Sequence, residues 1–343
     1  MDGRLALVRA THLSNFVEVL RDLGVPVDRD LAQSRLPPRI EETPDLYVSV
    51  PLALEWIARS GRDFHPMELG FLGAQRASLD SLRPAHQAAI VAAQTGLKRL
   101  EALIEITRLE DSALGMSIQP EMDDVRVVCS MAGLDRHLFV CFAEWLNLQA
   151  IISIIRSVMG ASWYPREICF VSSKSPPAAV REAFPNTRIL MGQPHSSVTV
   201  ARAELAQSTG METSRSLGAL SSMEVRDGQS AWEFVSLLRM MVQPYLNEGR
   251  IDVAFAAEIS GISTRTLQRM LAQSGSSYSK IVQEARFDLA RTRLDDPDMK
   301  VIDVAMMVGY ESPQHFSRAF RRFTGVTPSQ YRKLVLRPET GPI

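Results

Sequence analysis

Apolar and polar positions along this 343-residue chain follow two rhythms, and the change between them divides it. Near the start, Thr11 or Ser14 is placed to cap a helix that runs to Leu23, where Gly24 and Pro26 stop it. Pro51 opens a helix over 50–59, and Pro84 stands near the start of one or two more over 84–107. The period then falls to two. ALGMSIQP (113–120) and VRVVCSMA (125–132) alternate in the β manner and are separated by EMDD, which predicts a hairpin. A long helix over 138–159 follows, and then three short strands at 166–172, 188–192 and 197–202. Helices packed on a small, mostly antiparallel sheet define an α+β domain, placed at 1–205.

The long helix carries Phe142, Trp145, Leu146, Leu148, Ile151, Ile152, Ile154, Ile155 and Val158, an apolar band wider than one core face requires. Two readings stand: a central helix buried on most sides, or one that also forms a dimer contact or the wall of an apolar effector cavity. Residues 206–230 are rich in Ser and Gly and poor in large apolar side chains, which marks a linker, with Leu217, Leu220 and Met223 at the spacing of a short helix.

Beyond the linker a pattern occurs twice. Ala257 and Gly261 lie four apart, and Ala305 and Gly309 repeat that spacing 48 positions later, each followed by a short polar turn and an arginine-bearing helix. A helix-turn-helix needs a small residue where its helices cross and a turn residue that tolerates positive φ. The all-α part, 231–343, therefore reads as a support helix over 231–247, with Pro244 kinking its last turn and Gly249 ending it, and two such units. The first unit has helices at 251–260 and 264–274, with Ser263 as cap. The second has a helix at 301–308 and another entered through Ser312 as cap and Pro313 at the first position. Between the units lies a helix over 278–294, about 25 Å long. Equivalent major-groove faces on one side of B-DNA recur about every 34 Å, so this helix and its turns are sized to set two adjacent grooves.

Leu267, Met270 and Leu271 face inward by the helical period, leaving Arg265, Gln268 and Arg269 on an outward stripe. In the second unit Phe316, Ala319, Phe320 and Phe323 pack, while Gln314, His315, Ser317, Arg318, Arg321 and Arg322 stay polar. Arg pairs bidentately with guanine and Gln with adenine in the major groove. Arg269, Arg321 and Arg322 are equally suited to phosphates or to neighbouring carboxylates, and a solvated surface cation is the plainer reading of any single arginine.

The net charge of −1 conceals a split: 15 Lys and Arg stand against 12 Asp and Glu from residue 230 onward, or +3, leaving 23 against 27, or −4, before it. Mild charge with clustered arginines suits a binder that contacts few phosphates and reads bases. Cys129, Cys141 and Cys169 have no C-x-x-C spacing and read as small buried hydrophobes, and the six histidines (His12, His65, His86, His137, His195, His315) have no ligand spacing, with His86 and His137 the first to test. Neither a metal nor a cofactor is expected. Asp123 and Asp124 beside Glu121 read as a solvated hairpin tip, and phosphate-loop, dinucleotide-fold and zincin motifs are missing. No membrane span or signal peptide is apparent, so the chain is expected in the cytoplasm.

These residues carry a resemblance. GYESPQHFSRAFRRFTGVTPSQYR (309–332) is similar to the second helix-turn-helix signature of the AraC/XylS family of bacterial transcription regulators, and GISTRTLQRML (261–271) to the first. The resemblance implies major-groove positions at Arg265, Gln268, Arg269, Gln314, His315 and Arg318. More weakly, VPLALEWIARSGRDFHPMELGFLG (50–73) and the order of elements over 1–205 resemble a subgroup with a non-cupin effector-binding or dimerisation domain, departing from it at 76–89, where a glycine-rich stretch is usual. The implied protein is a regulator, an activator by the commoner family behaviour, that binds double-stranded operator DNA in two adjacent major grooves. Its implied partners are a small organic effector, a second copy in a homodimer, and RNA polymerase. The alternative is an effector-independent regulator whose N-terminal domain only dimerises or meets a protein. An enzyme fused to such a domain, as in the family's DNA-repair methyltransferase relatives, would need a reactive Pro-Cys-His cysteine, and none of the three cysteines has that setting.

Overall fold

The computed structural model describes residues 5–37, 40–77, 79–208, 233–247 and 251–336. They form two compact units, 1–232 and 233–343. Most of the expected linker, with Leu217, Leu220 and Met223, lies outside the described residues, as does Gly249.

In the first unit a five-stranded sheet runs in the order β3-β4-β7-β5-β6, with β3 Leu114–Glu121, β4 Asp124–Met131, β5 Glu167–Cys169, β6 Arg188–Leu190 and β7 Ser196–Ala201. The hairpin β3-β4 pairs Glu121 with Asp124 at its tip, and only β5-β6 is parallel. The tip acids are not simply solvated: Glu121 pairs with Arg126 at 2.7 Å and Asp124 with Arg166 at 2.8 Å. β7 is buried along its whole length because it has a neighbour on either edge and a helix over it.

That helix is Cys141–Met159, three residues shorter at its start than the sequence pattern suggests, because 138–140 form a turn. Its inner side buries Trp145, Leu148, Ile152 and Ile155. Glu144 on the same helix is only 1% exposed, and its carboxylate accepts from the Val171 and Ser172 amides and the Ser196 hydroxyl at 2.6–3.2 Å. Burial pushes this carboxyl up and those three donors pull it back, so a polar clamp ties helix to sheet without an orphaned charge.

Two features depend on pairing across long sequence distances and have no local signature. Strands β1 Leu7–Arg9 and β2 Tyr47–Ser49 form a separate antiparallel pair. The first helix starts at Ala10, not at a Thr11 or Ser14 cap; the Ser14 hydroxyl instead donates to the Ala10 carbonyl one turn back. Around it lies a buried ionic group. Glu110 accepts from Arg9 at 2.8 Å and meets His86 Nδ1 at 2.9 Å, with His12 Nε2 at 3.6 Å. Burial would raise the Glu110 carboxyl, but the three nitrogen partners outweigh it and hold it well below the usual carboxylate range. The pattern over 84–107 resolves into two helices, Pro84–Ala92 and Gly96–Glu110, the second capped by Thr95.

The second unit contains the support helix Phe234–Val242, which Pro244 turns into a single 3₁₀ turn at Gln243–Tyr245. The helices Val253–Ile259 and Thr264–Gln273 make the first helix-turn-helix, and Val301–Met307 and Pro313–Thr324 the second. Tyr278–Leu294 connects them and packs on the support helix, and Pro328–Leu336 closes the unit. This is an α+β unit followed by an all-α unit with a duplicated helix-turn-helix.

Beside Glu110, Asp111 is buried and its carboxyl is pushed up to about 6 by that burial, against amide donors from Ala113 and Leu114 and the charge of His12. A folded value above the unfolded one of about 4 means that ionised Asp111 lowers stability at neutral pH, and the loss is relieved as pH falls from about 6 to 4. Asn keeps the oxygen that accepts both amides. Asp111→Asn should therefore raise stability by about 1–2 kcal/mol at pH 7.5 in urea unfolding, with the gain shrinking towards pH 4.5.

Candidate functional site

The two recognition helices owe their exposure to their turns. Gly261 and Gly309 sit at φ of 67° and 78°, where a side chain is strained. At Gly309 the constraint is doubled, since a Cβ would collide with the carbonyl oxygen of Leu246 at the end of the support helix. Ala257 and Ala305, four residues before, are buried to 2% and 0% and let the helices of each pair cross closely. Ser263 caps the first recognition helix, its hydroxyl accepting from the Thr266 amide at 3.1 Å. Ser312 does not cap the second; its hydroxyl donates to Gln314 Oε1 at 2.7 Å, and Pro313 at the first position sets the helix entry instead.

Leu267 and Leu271 anchor the first recognition helix, and Phe316 and Phe320 the second, the latter within a cluster of Ala290, Leu294, Val304, Ala305 and Val308. Phe323, expected to pack, is 47% exposed at its edge while its ring lies 4.6 Å from that of Phe287. Arg265, Gln268 and Arg269 on one helix, and Gln314, His315, Arg318, Arg321 and Arg322 on the other, are all exposed. Gln273, four residues after Arg269, is exposed too and extends the stripe; the i, i+4 spacing of a helix could have found it.

Neither recognition helix contains an acidic residue: TRTLQRMLAQ carries two arginines and PQHFSRAFRRFT three. Among the described residues, none of these five arginines pairs with a carboxylate. Several other cations of the unit are held: Arg239 by Glu284 and Asp288, Lys280 by Glu284, Arg332 by the carbonyls of Leu294 and Met299, and Arg286 over the Tyr310 ring at 5.2 Å. Exposed positive charge without a carboxylate partner on two helix faces is what a polyanion with groove edges can meet.

The first unit holds a second site, a cavity of about 110 Å³. One face of the central helix lines it with Phe142, Ala143, Leu146, Asn147, Ala150 and Ser153. The excess apolar width of that helix thus serves both the core and a cavity wall. His12, Thr107, Glu110 and Asp111 supply polar lining. Cys129, Cys141 and Cys169 are buried free thiols, and burial pushes Cys129 and Cys141 up to about 12. Such thiols are not nucleophiles at neutral pH. His86 is engaged by Glu110, and among the described residues no group of three or more His, Cys, Asp or Glu is placed to hold a metal. No helix among them is long and apolar enough to cross a membrane.

Comparison with known proteins agrees with this geometry. A family model described as the arabinose-binding N-terminal domain of AraC transcription regulators matches residues 24–209, and one described as a helix-turn-helix domain matches 256–334. The HTH-type transcriptional regulator VirS of Mycobacterium tuberculosis is 24% identical over 95% of this chain and 96% of its own. The transcriptional activator NphR of a Rhodococcus species is 30% identical over 29% of this chain, which spans only 30% of that relative's length. Among solved structures, CdpR of Pseudomonas aeruginosa aligns with 82% of this chain and 90% of its own at 21% identity and a TM-score of 0.37.

Gly309→Ala should destabilise the protein by more than about 2 kcal/mol, combining left-handed strain with the backbone collision, whereas Gly325→Ala, at φ 82° in open space, should lose only about 1 kcal/mol. Thermal unfolding of the two variants checks the difference.

Proposed function

This chain belongs to the AraC family of transcription regulators, and we propose that it is an effector-responsive activator acting as a homodimer, with residues 231–343 as its DNA-binding domain, 206–230 as linker and 1–205 as effector and dimerisation domain. That it is a DNA-binding transcription regulator follows from both matched domains. The observation that carries the site reading is the uncompensated arginine faces of the two recognition helices. Arg265, Gln268, Gln314 and Arg318 read base edges in two adjacent major grooves of double-stranded operator DNA. Arg269, Arg321 and Arg322 lie at the flanks of those stripes and meet phosphates, and His315 packs on the backbone. NphR is named an activator, and activation here brings RNA polymerase as a partner. The protein works in the cytoplasm, where the DNA is. A cavity with a polar end in the first unit supports effector control.

The site reading is tested by selecting DNA from a random pool with the full chain and measuring affinities for the selected sequence. Arg318→Ala should weaken binding by about 1–3 kcal/mol and relax choice at one base pair. An unchanged sequence preference would remove Arg318 from base reading. A fragment of 231–343 should choose the same sequence but bind it more weakly, because the avidity of a dimer is lost; equal affinity would contradict the homodimer.

A further inference from the structure

The family model that covers the first unit is described by arabinose, yet the cavity in this chain is unsuited to a sugar. A monosaccharide presents hydroxyls on almost every carbon, and each one buried without a partner is unfavourable. Leu13, Phe16, Ile57, Leu103, Ile106 and Phe142 make most of the wall apolar. Of the polar lining groups, Asn147 donates to the Met131 sulfur, Ser153 accepts from Gln149, the Thr107 hydroxyl donates to the Ile104 carbonyl, and Ser81 also has an interaction of its own.

Each of these polar groups keeps some hydrogen-bonding capacity, but the charged groups of the lining gather at one end. Glu110 and Asp111 close the last turn of the helix Gly96–Glu110, with His12 opposite on the first helix. Glu110 Oε1 receives one donor, from His86, and a carboxylate oxygen can take a second. Among the described residues no Lys or Arg lines the cavity; the guanidinium of Arg9 is only 4% exposed and already donates to Glu110 and Asp45. An anionic ligand would meet two carboxyl groups, and the nearby cationic groups, Arg9 and His12, already face Glu110. The volume, about 110 Å³, is of the order of the roughly 150 Å³ that admits benzene in an engineered apolar cavity.

From this we infer that the cavity binds a compact molecule with a ring-sized apolar body and a single hydrogen-bond-donating head, which donates to the Glu110 and Asp111 end. The inference rests on effector control of this unit and gives that control its ligand class. Free sugars fit poorly because most of the wall offers their hydroxyls no partner, and carboxylates fit poorly because the polar end already holds two carboxyl groups.

The test uses the full chain and three probes: 4-ethylphenol, 4-ethylbenzoate and L-arabinose. Thermal unfolding should rise by roughly 2–4 °C with saturating 4-ethylphenol and stay unchanged with the other two. Ala150→Phe, which fills the cavity from the central helix, should abolish the rise; if that variant does not fold, Ala53→Leu on the helix Val50–Ser60 does the same from another wall. No rise with 4-ethylphenol, a rise that survives the filled cavity, or an equal rise with 4-ethylbenzoate or arabinose overturns the ligand class. Affinity for the selected DNA separates the two levels. A probe that seats in the cavity and leaves DNA affinity unchanged removes effector control while the ligand class stands. Arabinose seating there and altering DNA affinity keeps effector control and overturns the ligand class.

Discussion

Arginines of the C-terminal unit differ in what lies within reach of them. Arg239 has Glu284 and Asp288, Arg332 has two carbonyls, and Arg286 has the face of Tyr310. These cations are spent inside the unit, where they hold the connecting helix, the support helix and the last helix together. Arg265, Arg269, Arg318, Arg321 and Arg322 stand on two helices without a single acidic residue. Like charge collected on a helix face is mildly destabilising by itself. Its placement on both copies of a repeated motif is explained by a polyanionic partner.

The fold meets the demand this makes on it through small residues and turns. A recognition helix that gives one face to a partner has only its other face for anchoring, here Leu267 and Leu271 or Phe316 and Phe320. So narrow an anchor works only if the preceding helix crosses closely. Ala257 and Ala305 supply the close crossing, and the left-handed glycines supply the turn. At Gly309 the turn also touches the Leu246 carbonyl, so the support helix, the second turn and the recognition helix are set by a single contact that no other residue type admits.

Much of this was legible because it is local. The connecting helix falls at Tyr278–Leu294 as its pattern predicts, the Ser263 cap forms, and the outward stripes follow from the helical period. Illegible parts arise from distant residues meeting. Nothing near Leu7 announces Ser49 as its strand partner, and the group of Arg9, His12, His86 and Glu110 is assembled from three helices and a strand. His86 stood out only as a histidine worth testing; its role as partner of a buried carboxylate needed the fold. The Ser312 cap fails for a subtler reason, since Gln314 two residues on offers its hydroxyl another partner. The width of the apolar band on the helix Cys141–Met159 is open in sequence to a buried core helix or a cavity wall; the helix is buried on most sides and also lines a cavity.

On the proposed reading, one chain places two reading helices in successive major grooves on the same side of a duplex, held apart by a connecting helix of 17 residues. Methylation-interference footprinting of the selected DNA with the full chain addresses this directly. The account predicts that each bound chain gives two contacted stretches about 10 base pairs apart on one face of the helix, and that inserting about five base pairs between them abolishes binding. A single contacted stretch per chain, or affinity indifferent to that insertion, would contradict it.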